Sequence, residues 1–160
     1  MILNEAKQIA DGLLEQFTPL CYRCEIAGSV RREKPEVNDI EIVCIPRMIT
    51  ITEFIELVNS WYKIKGSPLG KYTRRTLPEG IHLDLFIANE NNWANIFAIR
   101  TGSAEWVKNV LANSWVKAGY HSKDGILYDE EGHKHIVKEE KDLFNLLGIS
   151  YIEPKRREIQ

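Results

Sequence analysis

Three short residue groups carry most of the chemistry that can be read in this chain. Gly28-Ser29-Val30-Arg31-Arg32 sets a small turn beside two arginines. Exposed backbone N–H groups, a hydroxyl and an arginine fork bind phosphate well. Asp39-Ile40-Glu41 follows, and a third carboxylate, Asp84, lies in the apolar run Ile81-His82-Leu83-Asp84-Leu85-Phe86-Ile87. Residues two apart on a strand face the same way, so Asp39 and Glu41 share one face and Asp84 shares its face with His82. If the two strands are neighbours, three carboxylates crowd together. Such a group repels itself unless a cation is present. Oxygen-only ligands suit magnesium, and two ions can stabilise both oxygens of an in-line displacement. The chemistry expected of this set is nucleotidyl transfer.

The elements that must position these residues follow from periodicity. Leu3, Ala6, Ile9, Ala10, Leu13, Leu14 and Phe17 repeat at helical spacing, with Asn4 or an earlier residue as the cap and Thr18-Pro19 as the stop. Strands are expected at 22–27, 40–45 and 81–88, with a short one at 71–77. A helix is expected at 52–62. The second half changes character near residue 90. Helices are expected at 93–99, 103–117 and 138–147, and hairpin turns at Asp124-Gly125 and Glu131-Gly132. This predicts an α+β chain in two lobes: a mixed sheet flanked by helices at 1–90, followed by a small α/β lobe at 91–160.

Composition bounds the partners. The chain has 160 residues, 44% hydrophobic, with a formal net charge of −2. That charge does not advertise nucleic-acid binding, but the basic residues cluster: Arg31, Arg32 and Lys34; Lys71, Arg74 and Arg75; Lys155, Arg156 and Arg157. No apolar run approaches the ~20 residues that span a bilayer, and the N-terminus lacks a signal-peptide pattern. A cytoplasmic, unsecreted monomer without a membrane partner is expected. Cys21, Cys24 and Cys44 are the cysteines. Cys21-x-x-Cys24 lacks a second such pair, so reduced thiols are preferred over zinc, with Cys24 and Cys44 as small apolar strand residues. His121, His133 and His135 read as surface. Trp106 and Trp115 read as core.

Taken in order, these motifs resemble the palm and thumb of family X DNA polymerases, the polymerase beta group. The turn Gly28-Ser29-Val30-Arg31-Arg32 and Asp39-Ile40-Glu41 resemble the palm. Thr101-Gly102-Ser103 resembles the turn that opens the thumb. Lys141-Asp142-Leu143-Phe144, Leu147-Gly148 and Tyr151-Ile152-Glu153-Pro154-Lys155-Arg156-Arg157-Glu158 resemble its C-terminal end. The resemblance implies a minimal palm-plus-thumb DNA-directed DNA polymerase that fills gaps in repair or serves replication. Asp39, Glu41 and Asp84 would be catalytic and bind two Mg2+ ions, with Mn2+ as a substitute. Gly28, Ser29, Arg32, Asn38, Gly102 and Ser103 would bind the deoxynucleoside triphosphate. Lys71, Arg74, His82 and Lys108 would contact gapped or primer-template DNA.

Three departures stand out: Glu41 replaces an aspartate, Ile99 and Arg100 replace two aromatics, and Leu111 replaces an arginine that checks the nascent pair from the minor groove. Two alternatives accompany this reading. One is a nucleotidyltransferase acting on an RNA end, a protein or a small molecule; the other is an inactive gapped-DNA-binding module.

Overall fold

The computed structural model describes residues 1–158. The chain divides into two compact units, Met1–Ala88 and a second from Asn89 onward. The first is a five-stranded mixed sheet in the order β1-β2-β5-β4-β3. Its strands are β1 (Cys21–Ile26), β2 (Asp39–Pro46), β3 (Tyr62–Lys65), β4 (Tyr72–Thr76) and β5 (His82–Ile87). β2 and β5 run parallel and the other pairs antiparallel. A parallel pair needs a long crossover, here supplied by α3 (Ile51–Asn59), β3 and β4.

Helix α1 (Leu3–Phe17) packs Ala6, Ala10, Leu13 and Phe17 inward. With Phe54 and Val58 of α3 it covers one sheet face, where Ile40, Ile42 and Cys44 of β2 meet Leu83 and Leu85 of β5. This layer holds the core and leaves the other face of β2 and β5 for polar residues. Between β1 and β2 comes α2 (Gly28–Arg31), a single helical turn.

The N-cap of α1 is Ile2, one of the earlier residues the sequence allowed beside Asn4, and it makes no side-chain capping bond. One expectation changes: the helix expected to run to 62 ends at Asn59, because Tyr62–Lys65 pairs with β4 as an exposed edge strand. Trp61 still packs against the core.

The second unit opens with α4 (Trp93–Thr101). A continuous helical segment follows: α5 (Ala104–Trp106), a π-helical stretch at Val107–Leu111, and α6 (Ala112–Lys117). Strands β6 (His121–Lys123), β7 (Ile126–Tyr128) and β8 (Lys134–His135) form an antiparallel sheet. Asp124 and Gly125 both have positive φ, the conformation a tight two-residue hairpin needs. Helix α7 (Glu140–Leu146) is closed by a capping box between Glu139 and Asp142. Its Leu143 and Phe144 meet Ala94, Ala98, Trp106 and Leu111 in a separate core.

Candidate nucleotidyl-transfer site

The register of β2 against β5 brings the acidic residues together. Asp39 pairs with His82 and Glu41 with Asp84, so all four project from the face opposite the hydrophobic core. On the far side of β5, Arg74 of β4 pairs with Asp84 and joins the same face. Its guanidinium bridges two carboxylates, with Nη2 to Asp39 Oδ2 at 2.9 Å and Nε to Asp84 Oδ1 at 2.9 Å. Tyr72 donates its hydroxyl to Asp84 Oδ1 at 2.6 Å, and its ring stacks on Phe86. Arg74 Nη2 also donates to Asp84 Oδ2 at 3.3 Å, so Asp84 is buried, accepts three hydrogen bonds and is charge-paired.

Burial first, and then the negative charge of Asp84, pushes the Asp39 carboxyl above its usual range; Arg74 pulls the other way. Burial and the Asp84 carboxylate push the Tyr72 phenol up to about 12, so it remains a proton donor at neutral pH. His82 Nδ1 lies 3.3 Å from Thr76 Oγ1, its cross-strand neighbour.

Glu41 takes a different direction. A Cβ built on Gly28 would lie 1.7 Å from Glu41 Oε2, so the carboxylate rests in the space left by that missing side chain. Gly28 also has φ of 59°, the left-handed region that glycine adopts freely. The Ala27 N–H donates to the Glu41 carbonyl at 2.8 Å, tying the glycine-serine turn to the acidic strand. The expected crowding of three carboxylates is therefore met in part: Asp39 and Asp84 meet around Arg74, while the longer Glu41 reaches to the turn. Among the described residues, the one trio whose ligand atoms all lie within 4.8 Å is Cys21, Cys24 and Cys44.

The remaining expected residues fall as follows. Ser29 and Arg32 are partly exposed, and Asn38, Lys71 and Lys108 are exposed. Lys108 lies in the π-helical stretch, a local widening often found at functional sites. Gly102 and Ser103, in the second unit, have structural work there. A Cβ on Gly102 would lie 2.3 Å from the Trp106 ring, and the Ser103 hydroxyl accepts the Trp106 N–H as the cap of α5.

Two basic positions need correction. Arg75 is 2% exposed and donates to Thr73, Asn59 and the Trp61 carbonyl, because alternation on β4 turns it toward the core. It cannot track a DNA backbone as expected. Arg157 is neither a DNA contact nor a solvated tail residue. It is fully buried, pairs with Glu140, and lies against Trp106, Phe144 and Tyr151. Leu111 is fully buried in the second unit's core, so that position does not reach outward.

Sequence reasoning missed the bridging role of Arg74 and the bond from Tyr72. Both were legible in principle, since Tyr72 and Arg74 alternate on a strand that must pair near Asp84.

Residues 98–158 match the protein family described as the DNA polymerase beta thumb. No curated protein matches the chain. The second unit is thus similar to a polymerase thumb, which points to a polymerase-like, DNA-binding protein. No helix among the described residues is long and apolar enough to cross a membrane.

Proposed function

We propose that the first unit is a nucleotidyltransferase palm and that the chain is a family X-like, DNA-directed DNA polymerase. It adds deoxynucleotides to a primer 3′-end at a gap, the task of repair. The observation that carries this reading is the in-register pairing of Asp39 and Glu41 with His82 and Asp84, on a chain whose other half matches a polymerase thumb.

The donor set fits the implied metal. Asp39, Glu41 and Asp84 offer only carboxylate oxygens, which favours Mg2+ with Mn2+ as substitute over softer ions. When bound, two such ions neutralise charge on the triphosphate and on the attacking and leaving oxygens. The protein's own residues do the positioning. Arg74 bridges the Asp39 and Asp84 carboxylates and keeps both on one sheet face. Tyr72 fixes the rotation of Asp84, the carboxylate that would help take the proton of the primer 3′-hydroxyl. Ser29 and Arg32 stand on the turn that Ala27 and Glu41 anchor, and would take the β- and γ-phosphates. Lys71, His82 and Lys108 would meet the DNA backbone, so affinity falls steeply with salt.

One observation favours a second reading, an inactive gapped-DNA-binding module: Arg74 already neutralises Asp39 and Asp84. Primer extension on gapped DNA, with Asp39→Ala as control, separates the two. The polymerase reading expects incorporation with Mg2+ or Mn2+ that drops by at least about a thousandfold in the variant, a loss of roughly 4 kcal/mol in transition-state stabilisation. Gap binding with equal, background-level incorporation by both proteins would establish the module instead. Labelled product on RNA or protein, with none on DNA, would change the acceptor.

A further inference from the structure

The opposite face of the same sheet carries a second constellation. Cys24 of β1 lies directly across from Cys44 of β2, and their sulfurs are 3.0 Å apart. Cys21 is three residues from Cys24, a spacing that puts two side chains on opposite faces of a regular strand. Here the register shifts between Cys21 and Arg23, so Cys21 pairs with Pro46. The extra residue of that bulge returns Cys21 to the side of Cys24 and Cys44. All three sulfurs then lie within 4.8 Å of one another. Cys21 and Cys44 belong to the core, whereas Cys24 is partly exposed and gives a path from solvent.

Three thiolates around one ion with bonds of ~2.3 Å would be about 3.8 Å apart. The cluster already spans that scale, and the Cys24–Cys44 pair would need to open by less than about 1 Å. Soft sulfur donors select zinc or monovalent copper and reject magnesium. Charge decides between the first two. Three thiolates leave −1 around a divalent ion and −2 around a monovalent one. The Arg47 guanidinium stands by: its Nε donates to the Cys21 carbonyl at 3.1 Å, and one such charge balances the −1 of the divalent complex. We propose that Cys21, Cys24 and Cys44 form a three-thiolate Zn2+ site, with solvent in the fourth position.

The acid–base chemistry is consistent with this. Hydrogen bonds from the Cys24 and Cys44 thiols, and then the charge of Arg47, hold Cys21 well below the ordinary thiol range. Burial pushes Cys44 up. Binding one Zn2+ displaces the thiol protons to solvent, forming three S–Zn bonds with no change of oxidation state. The ion would clamp β1 to β2, the strands that lead to Gly28 and from Asp39. It lies on the core face, away from the carboxylates, so its sulfur-only chemistry and the oxygen-only chemistry opposite do not compete for one metal.

The test uses the full chain, reduced and stripped with a chelator, titrated with Cd2+ as a sulfur-sensitive probe and with Zn2+ in competition. One equivalent of Cd2+ should produce sulfur-to-metal charge-transfer absorbance that Zn2+ abolishes and excess Mg2+ leaves intact. Cys24→Ser, the mildest change because the site is partly exposed, should weaken binding on the order of a hundredfold, while Asp39→Asn should bind Cd2+ like the wild type. Absence of the absorbance at one equivalent, an unchanged band in Cys24→Ser, or mass-spectrometric recovery of the thiols as a Cys24–Cys44 disulfide under the same reducing conditions would overturn the proposal.

Discussion

Two arginine–carboxylate pairs in this protein share their chemistry and differ in their surroundings. Arg157 is 0% exposed and grips Glu140 from within a ring of Trp106, Phe144 and Tyr151. Its Nε also donates to the Ile152 carbonyl. Arg74 leaves 30% of its side chain exposed, as it bridges Asp39 and Asp84 on an open sheet face. The first pair is enclosed on every side and holds a chain end against a core. The second has solvent beside it. Burial, not the identity of the residues, separates an enclosed fastener from a partly solvated pair.

The largest effect should come from breaking the enclosed pair. Arg157→Ala removes the cation paired with the buried Glu140, and should destabilise the second unit by about 3–5 kcal/mol. Denaturant unfolding followed by tryptophan fluorescence will measure it. A loss below about 1 kcal/mol, the range of exposed pairs, would erase the contrast. Arg74→Gln should cost far less, within about 1 kcal/mol, since the pair is partly solvated and screened.

The smallest effect should have the opposite sign. Asp39 carries a raised pKa, so the folded state binds its proton more readily than the unfolded chain does. Stability from this residue therefore falls as pH rises from the ordinary aspartate range through the raised value. Asp39→Asn should slightly raise Tm at neutral pH, and the gain should shrink as the pH approaches 4. A lower Tm at pH 7 would contradict it.

The contrast also explains what could be read from the sequence. Helix α1 and strand β5 were legible because apolar spacing fixes both the period and the buried face. The shared face of Asp39, Glu41 and Asp84 followed from alternation, once the two strands pair. Strand β3 left no signal, since all four of its residues are exposed. Arg75 and Arg157 read as basic surface because charge type says nothing about burial; the partners that admit them, Asn59 and Glu140, are distant in sequence. The convergence of the cysteines depends on a bulge, and one inserted residue reverses a strand's alternation without any mark in the residue types. The reach of Glu41 to Gly28 likewise needed the turn's three-dimensional path.

The most direct measurement of the central claim is Mn2+ binding followed by electron paramagnetic resonance, with a non-hydrolysable deoxynucleotide present. The account predicts two bound ions in the wild type, at least one fewer in Asp84→Asn, and tighter binding in Arg74→Gln, where the competing guanidinium is gone. Equal Mn2+ binding by the wild type and Asp84→Asn would contradict it.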